Sequence, residues 1–575
     1  MTDREPLGSS AARPDQSTAS AFRALAGLRV LNTLRHRLRE SIFAASFYRH
    51  TLRAKPRQSL AAFPQDPWRG DAARANALFQ GRYRFAGSEV QLFNKAPWTS
   101  PAPSTAWLLE AAGFEWLRDF RAEGGEAATG RARALVRGFI ESYGEWDPAL
   151  WRADVLGRRI LSWISHADFI LQGADPAFRQ GFLISLERQA RHLLRAVALA
   201  PEGSGRIVAL CAVLVADAAF GGLTRSARGA AGELDAELRE QVLPDGCHIS
   251  RNPSEHLRVL RDLLWLQHGL RAANAPVPIG VHAATERMGA MLLLFRHGDG
   301  ALALFHGSNE EERSIVTETL AAVPARATRE PMSQDSHAGS HSGYERMAAG
   351  NLLAILDAAA PAPEPFAQAA HAGTLAFELS VGRDRLVVNC GHRVGERWTN
   401  ASRATAAHST LVLDDANSTE ITNSGLSRRP SVTLRRQEDD GSVWVDADHA
   451  GYADRAGCLH RRRVYLGAAG DTFRGEDTLD PAPGKHPQAD LSFAVRFHLH
   501  PEVQVSLLAD GALLRLPSGE GWRFRAAGSS IGLEESVYLG RIGEMRRAEQ
   551  IVLTGTTAAD GATIKWAFGR MEAER

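Results

Sequence analysis

The chain has 575 residues, 44% of them hydrophobic, which is enough apolar material for two or three domains with cores of their own. Its 67 lysines and arginines nearly balance 66 aspartates and glutamates, so the bulk charge gives no reason to expect a nucleic-acid partner. The four cysteines form no CxxC pair, which argues against a disulfide framework and against a cysteine zinc cluster.

The N-terminal region differs in charge from the rest. Residues 1–20 are polar and predict a disordered lead, and residues 21–70 predict a basic amphipathic helical segment. Between residues 21 and 60, nine arginines and lysines accompany the single acid Glu40, with leucine, isoleucine and phenylalanine interleaved. Two interpretations are open. The segment could contact an anionic membrane surface or acidic polymer, or it could be a solvated helix packed on the main body.

Targeting signals are not recognisable in this sequence. A charged stretch followed by a short apolar stretch and a small-residue cleavage site does not occur, so no signal peptide is predicted. No apolar run is long enough to span a bilayer. The default expectation is a cytoplasmic protein without a transmembrane segment.

Residues 71–340 predict a helical domain. Apolar residues recur there at intervals of three and four, with short Gly, Pro and Asp breaks between the runs. The clearest runs are STAWLLEAAGFEWLRDF, RARALVRGFIESY, LGRRILSWISHADFIL, FRQGFLISLERQARHLL, RIVALCAVLVADAAF, GELDAELREQVL and SEHLRVLRDLLWLQHGL. Many consecutive helices without strands between them indicate a bundle or an (α/α) toroid.

Residues 341–575 change to a β pattern. Short β-branched and aromatic runs are separated by Gly and Asp turns at roughly 8–15 residue spacing, as in an antiparallel β-sandwich. These runs are TLAFELSV, RLVVNC, STLVLDD, SVWVDAD, RRVYLGA, LSFAVRFHLH, VQVSLL and ALLRLP. The predicted fold is therefore an N-terminal (α/α) toroid followed by a C-terminal antiparallel β-sandwich.

Several strings taken together resemble the heparinase II/III-like family of polysaccharide lyases. They are DGCHISRNPSEH, HSGYERMAAG, HAGTLAFELSVGRDRLVVNCG, RATAAHSTLVLDD, DHAGY and ADLSFAVRFHLHP. The resemblance implies a toroid joined to a β-sandwich, with a groove between them for an acidic, uronate-containing polysaccharide. It implies cleavage by β-elimination, which needs a group that neutralises the carboxylate, a base for the C5 proton and an acid for the leaving oxygen. By the same analogy the protein could be periplasmic.

The segment DGCHISRNPSEH departs from the family pattern. Family lyases have Tyr-His at the matching position, where the tyrosine serves as acid, and this chain has Glu255-His256. A local explanation is available, because Asn252, Pro253 and Glu255 suit the N-cap, N1 and N3 positions of a helix. Glu255 is expected to reach back to the backbone N–H of the cap residue, as in a capping box.

Other residues of the toroid remain candidates for chemistry or binding. His248 and His256 are candidate catalytic residues facing the groove, against the alternative that each is a buried structural histidine. Arg251 is the candidate for holding a carboxylate, because its planar fork matches two oxygens. Family lyases have an asparagine or histidine about fifty residues earlier, where this chain offers only Arg206 as a second substrate-binding candidate.

The β half supplies further candidates. The resemblance makes Tyr344 a structural aromatic near the groove that could substitute as the missing acid, and Trp398 and Arg403 could line the cleft. The catalytic histidine of some family members falls at Ala406 in this chain.

The resemblance also implies one structural zinc ion. His408 and His449 match the family's metal-ligand histidines, and a carboxylate would complete the site. The alternative is two histidines hydrogen-bonded between the sheets. The carboxylate candidates are Asp414, Asp415, Asp446 and Asp448.

Three functional interpretations remain open. The leading one is a lyase acting on an acidic polysaccharide, and the second is a non-catalytic carbohydrate-binding or polysaccharide-assembly protein on the same scaffold. Hydrolysis by paired carboxylates is the third, since toroids also host glycosidases. No organic cofactor is expected, because no GxGxxG or GxxxxGK[ST] motif occurs in convincing context. The sequence leaves the oligomeric state open.

Overall fold

The fold is known from a computed structural model of the chain. It describes residues 37–53, 58–93, 95–223, 227, 229–325, 341–395, 397–422 and 425–571. The predicted disordered lead lies outside these residues, and so does much of the basic segment, including Arg23, Arg29, Arg35, Lys55 and Arg57. Within the described ranges, no helix combines the length and the apolar character needed to cross a bilayer.

The N-terminal part is helical from residue 37 onward, apart from one hairpin formed by β1 (Arg82–Phe85) and β2 (Ser88–Gln91). Its helices are α1 (Tyr48–Thr51), α2 (Ala72–Phe79), α3 (Thr105–Ala111), α4 (Leu117–Glu123), α5 (Gly125–Tyr143), α6 (Ala153–Ser165), α7 (Ala167–Leu171), α8 (Pro176–Ala196), α9 (Ser204–Ala219), α10 (Ala230–Gln241), α11 (Pro253–Ala272), α12 (Ile279–Phe295) and α13 (Arg313–Ala322).

Helix α9 lies at the centre of this part and contacts α6, α8, α10 and α11. Its sequence is apolar around most of its circumference, which is the pattern of a helix buried on all sides. Gly157 on α6 allows the closest approach, because a Cβ atom there would lie 3.0 Å from the carbonyl oxygen of Val208 on α9. Two helices can therefore pack nearly backbone to backbone at this point.

The C-terminal part consists of strands. They are β3 (Tyr344–Ala349), β4 (Leu352–Asp357), β5 (Phe377–Val381), β6 (Asp384–Val388), β7 (Leu411–Leu413), β8 (Ile421–Thr422), β9 (Gly425–Leu426), β10 (Val432–Asp439), β11 (Ser442–His449), β12 (Cys458–Leu466), β13 (Thr472–Pro481), β14 (Ser492–Leu499), β15 (Gln504–Leu508), β16 (Gly511–Arg515), β17 (Gly521–Ala527), β18 (Ser530–Tyr538), β19 (Arg546–Thr556) and β20 (Ala562–Arg570). Two four-residue helices, α14 (Trp398–Ala401) and α15 (Ala453–Ala456), interrupt them.

These strands form two large antiparallel sheets. One has the order β10-β11-β12-β13-β20-β17-β16-β15, and the other has the order β18-β19-β14-β6-β5-β4-β3 with β7 beside β14. Side chains from both sheets share one apolar core, in which Phe377 stacks on Trp566 with ring centroids 5.4 Å apart. The predicted order of a helical part followed by an antiparallel β-sandwich is confirmed.

The helical part and the sandwich pack directly on each other. Tyr344, Leu353, Ile355 and Ala376 of the sandwich belong to the same buried apolar cluster as the helices. The sheet containing β3, β4 and β5 therefore faces the helical part, and residues near the start of α11 lie at this junction.

The described part of the basic segment packs on the helices by one face. Phe43, Tyr48 and Leu52 are buried, and the Tyr48 hydroxyl lies 2.7 Å from Nδ1 of His192 on α8. Leu38 and Phe47 remain 63% and 60% exposed. Some side chains of this segment thus pack on the main body, while Leu38 and Phe47 keep large apolar surfaces in solvent.

Candidate functional site

Helix α11 begins as the sequence predicts. The Asn252 side chain caps the helix by accepting hydrogen bonds from the backbone N–H groups of Ser254 (2.8 Å) and Glu255 (3.0 Å), and Pro253 occupies the first helical position. The expected capping box is wrong in one detail. The backbone N–H of Asn252 donates to Ser250 Oγ at 3.3 Å, and not to Glu255.

Glu255 stabilises a different helix. Its Oε1 accepts a hydrogen bond of 3.2 Å from the backbone N–H of Ser204, the first residue of α9. A carboxylate suits the positive end of a helix. Burial opposes the charge, but Arg258, His248 and the Ser204 hydrogen bond outweigh burial and lower the pKa of Glu255 below its ordinary value. The residue at the family's tyrosine position is therefore an anion.

Arg251 lies inside the junction and not at a substrate surface. Its guanidinium forms an ion pair with Asp357 at the end of β4 and donates to the carbonyl oxygens of Ser342 (2.9 Å) and Ala360 (2.9 Å). It also lies 4.7 Å from the centre of the Tyr344 ring. Arg251 is 3% exposed, so the fork predicted to hold a substrate carboxylate holds a carboxylate of the protein.

Tyr344 and His306 complete this arrangement. The Tyr344 hydroxyl donates to the carbonyl oxygen of Arg251 at 2.6 Å, and His306 Nε2 lies 2.9 Å from Asp357 Oδ2. We call Arg251, His306, Tyr344 and Asp357 the junction cluster. Burial would raise the pKa of Asp357, but Arg251 and His306 lower it to about 2, so the carboxylate stays charged. Burial raises the pKa of Tyr344 well above 10, which disfavours its predicted role as an acid.

The two histidines of the opening segment are buried as well. His256 Nε2 lies 2.9 Å from the carbonyl oxygen of Met288, and its Nδ1 accepts from the backbone N–H of His248. His248 pairs with Ser250 Oγ at 2.7 Å and with Gln241 Oε1 at 3.1 Å. Both nitrogens of each ring are engaged and neither ring is exposed, so the expectation that they face a groove is wrong.

The other predicted binding residues lie in different environments. Arg206 is half-buried and forms an ion pair with Glu237 at 2.8 Å. Arg403 is buried and donates to the carbonyl oxygens of Ala370 and Gly425, both at 2.9 Å. These two guanidiniums are thus already bound within the protein. Trp398, at the start of α14, is half-buried and keeps part of its ring accessible.

The structure gives each predicted metal ligand a separate histidine partner. His408 donates from Nδ1 to the carbonyl oxygen of Ala404 (2.8 Å), and its Nε2 lies 3.0 Å from Nδ1 of His371. His449 Nε2 lies 3.1 Å from Nδ1 of His460, and its Nδ1 accepts a hydrogen bond of 3.0 Å from the backbone N–H of Gly451.

These contacts do not fit a shared metal ion, because no ring nitrogen of His408 or His449 is left to bind one. Within the described ranges, no cluster of three or more His, Cys, Asp or Glu side chains could hold a metal. The four acids proposed to complete the site join no such cluster. Asp446, for example, forms ion pairs with Arg461 and Arg463 on the outer face of the sandwich.

Three residues of this region were not foreseen as site residues. They are His306, Asp357 and His371, all buried at the junction. Asp357 ends the apolar run LLAILD, and a lone acid closing a fully buried strand is a signal that could have marked it. His371 stands in the string HAGTLAFELSV, directly before a sharp turn and a buried strand.

Comparison with known proteins gives the family. The family model described as "Heparinase II/III-like, C-terminal" matches residues 331–567. The chain is 31% identical over 555 residues to "FtsZ-localized protein C" of Caulobacter vibrioides (strain NA1000 / CB15N), covering 90% of this chain and 92% of that protein. The chain belongs to the heparinase II/III-like family. The resemblance predicted from the sequence is confirmed.

Solved structures show the same fold at low identity. Heparinase III has a TM-score of 0.70 at 13% identity, covering 93% of this chain and 91% of that one. A mutant heparan sulfate lyase HepC of Pedobacter heparinus has a TM-score of 0.60 at 16% identity, with coverages of 92% and 88%. The chondroitin AC lyase of Streptomyces coelicolor A3, bound to chondroitin sulphate, has a TM-score of 0.51 at 11% identity, with coverages of 92% and 80%. The chain therefore shares its fold, a helical toroid followed by a β-sandwich, with these polysaccharide lyases.

Burial of His256 predicts a specific pH dependence of stability. Burial lowers the pKa of His256 to about 4, below the value near 6.5 of an unfolded imidazole, so the fold favours the neutral ring. The stability that this ring contributes is complete above about pH 6.5 and is lost as the pH falls toward 4. A His256→Gln variant lacks this titration. The amount by which its free energy of unfolding falls below that of wild type should therefore be about 2 kcal/mol smaller at pH 4.5 than at pH 7.5.

Urea unfolding followed by tryptophan fluorescence at both pH values measures this difference. His268 lies on the same helix but is exposed, so His268→Gln is the matched control and should show no such pH dependence. An equal deficit of the His256→Gln variant at both pH values would contradict the burial argument.

Proposed function

We propose that this chain is a non-catalytic member of the heparinase II/III-like family that binds a saccharide polymer and acts where FtsZ is located. The absence of catalysis is supported by one observation: the predicted catalytic and binding groups already contact other parts of the protein. Arg251, His248, His256 and Tyr344 are buried, and each is engaged by the protein.

The charge at the helix start supports the same conclusion. β-Elimination requires a group that neutralises the uronate carboxylate and stabilises the negative charge that develops there. At the position of the family's tyrosine this chain presents Glu255, whose lowered pKa keeps it charged and which would repel a uronate. Position 406, where some family members have a histidine, is an alanine. The acid and the base of the lyase reaction both lack a replacement among these residues.

The test of chemistry is incubation with uronate polymers. We expect no increase in the ultraviolet absorbance of unsaturated sugar ends when the chain is mixed with heparan sulfate, chondroitin or alginate. The heparan sulfate lyase HepC of Pedobacter heparinus acting on heparan sulfate is the positive control. A sustained increase above the buffer rate would overturn the non-catalytic assignment and support lyase activity. New reducing ends without that absorbance would instead support hydrolysis.

The location is proposed from the relative. FtsZ-localized protein C matches this chain over nearly its whole length at 31% identity, and its name states that it is localised by FtsZ. A shared family and near-complete coverage support a shared location. A cytoplasmic location, which the sequence predicts by default, stays a prediction.

A fluorescent fusion tests the location in the organism of origin. We expect the fusion to coincide with FtsZ and to disperse within one generation after FtsZ is depleted. The same fluorescent protein, expressed without the fused chain, is the control for a diffuse signal. A fusion that keeps its position after depletion would contradict dependence on FtsZ.

The basic segment supports a further proposal, contact with an anionic membrane surface. Leu38, Ile42 and Phe47 are exposed large apolar side chains, and the exposed Arg37 and Arg49 accompany them. Phe43, Tyr48 and Leu52 of the same segment already pack on the main body, which leaves Leu38, Ile42 and Phe47 in solvent. Each basic residue near an anionic bilayer contributes about 1 kcal/mol, and inserted apolar side chains add to this.

Vesicle sedimentation tests this contact. We expect the chain to sediment with vesicles that contain anionic lipid and to release as salt is raised, because the attraction is screened. The double variant Leu38→Glu, Phe47→Glu should bind at least about tenfold more weakly. Ile279 is 85% exposed on the body of the protein, so Ile279→Glu is the matched control and should leave binding unchanged. Equal sedimentation of the double variant and wild type would contradict the proposal.

A further inference from the structure

A cavity of about 620 Å³ lies between helices α5 and α8 and opens to solvent. Its wall consists of the C-terminal end of α5, the turn at residues 144–147 and one face of α8, so every lining residue belongs to the helical part. Glu141, Ser142 and Gly181 are exposed and mark its open side. The volume falls within the roughly 300–1,000 Å³ that small-ligand sites occupy. We call this space the α5–α8 cavity.

Hydrogen bonds hold the turn that forms one wall of the cavity. Asp147 Oδ1 accepts from the backbone N–H groups of Ala149 (2.9 Å) and Leu150 (2.8 Å), which fixes the turn locally. Arg188 on α8 donates to the carbonyl oxygen of Gly144 at 3.2 Å. Since this bond joins α8 to the turn, the two walls are held at a fixed separation and the cavity is formed without a ligand.

Two aromatic rings with unused polar groups lie in the wall. Tyr143 and Trp146 are half-buried, so part of each ring is accessible from the cavity. Neither the Tyr143 hydroxyl nor the Trp146 indole N–H bonds to another described residue. Ring faces pack against C–H groups, while the hydroxyl and the N–H can bond to polar groups of the same ligand. The aliphatic lining is limited to Ile140 and Ile184, which does not suit a wholly apolar ligand.

The charge of the wall is negative. Glu141, Glu145 and Asp147 line the cavity, whereas Arg188 is its one lining cation. Glu145 lies 3.7 Å from Arg49 of the basic segment, and Asp147 is engaged by the turn. The Glu141 carboxylate has no ion-pair or hydrogen-bond partner among the described residues. A carboxylate only accepts hydrogen bonds, so this wall attracts hydroxyl and N–H donors and repels an anion.

We infer that the α5–α8 cavity binds part of a neutral saccharide chain. The C–H groups of a sugar ring pack on Tyr143 and Trp146, and its hydroxyls donate to Glu141 and accept from the Trp146 indole. The inference rests on the proposed saccharide binding and specifies a site outside the groove that the family resemblance implies. Because the wall is negative, the cavity selects a neutral sugar over a uronate.

Titration calorimetry with three defined probes tests the cavity: a tetramer of N-acetylglucosamine, a tetramer of galacturonate and tetralysine. We expect the wild-type chain to bind the neutral tetramer most tightly. A Cβ atom on Gly181 would meet nothing within 4 Å, so a methionine side chain there extends into the cavity without a clash, and a helix favours methionine over glycine. Gly181→Met should therefore fold normally and bind the neutral tetramer about tenfold more weakly.

Trp146→Leu is the second variant. It keeps an apolar side chain beside Phe43, whose ring centroid lies 6.5 Å from that of Trp146, but it removes the flat ring and the indole N–H. It should also weaken binding of the neutral tetramer. Glu141→Gln keeps the shape of the side chain without its charge and should strengthen galacturonate binding.

The matched control is Gly130→Met. Gly130 is an exposed glycine on α5 whose Cβ would also meet nothing within 4 Å, and it lies outside the cavity lining, so this variant should bind like wild type.

Each remaining outcome contradicts a stated part of the inference. If Gly181→Met and Trp146→Leu both bind the neutral tetramer like wild type, the cavity assignment is overturned while saccharide binding stands. Tighter binding of the galacturonate tetramer by wild type overturns the neutral selectivity. Tighter binding of tetralysine that Gly181→Met abolishes makes the cavity a cation site and overturns the saccharide assignment. If wild type binds neither oligosaccharide, the cavity assignment and the proposed saccharide binding both fail.

Discussion

The buried ion pair between Arg251 and Asp357 is the contact on which the junction of the two halves depends. Removing two charges from water is costly, and an interior pair repays that cost only when the remaining donors and acceptors are also satisfied. Here the guanidinium also binds two carbonyl oxygens, and the second carboxylate oxygen accepts from His306. Tyr344 secures the backbone of Arg251 itself. Arg251 adopts a φ of +57°, a conformation that non-glycine residues rarely hold unless their surroundings impose it.

Under the proposed non-catalytic function, this arrangement explains how a lyase scaffold is retained without lyase chemistry. The start of α11 lies where the family resemblance places a substrate groove, but in this chain its charged and aromatic groups bind other parts of the protein. An arginine that neutralises Asp357 cannot also neutralise a substrate carboxylate. The glutamate at the tyrosine position stabilises the first turn of α9. The residues at this position contact and stabilise other parts of the fold.

The sequence predicted those features that depend on near neighbours. The helices, the order of the two halves and the Asn252-Pro253 helix start all follow from spacing within a few residues. The roles of the side chains did not, because their partners are distant in the chain. Glu255 meets Ser204, 51 residues earlier, and Arg251 meets Asp357, 106 residues later. A guanidinium predicts a carboxylate partner, but the sequence alone does not say whether that partner belongs to a ligand or to the protein.

His306 links the junction cluster to residues from both halves of the protein. His306 holds Asp357 through Nε2, accepts from the backbone N–H of His371 at Nδ1, and receives the Asn252 amide at its carbonyl oxygen. The helical part supplies Asn252 and His306, and the sandwich side supplies Asp357 and His371. These contacts therefore help to fix how the two halves are joined. Residues at positions where the family resemblance places catalysis thus join the two halves, which agrees with the proposed non-catalytic function.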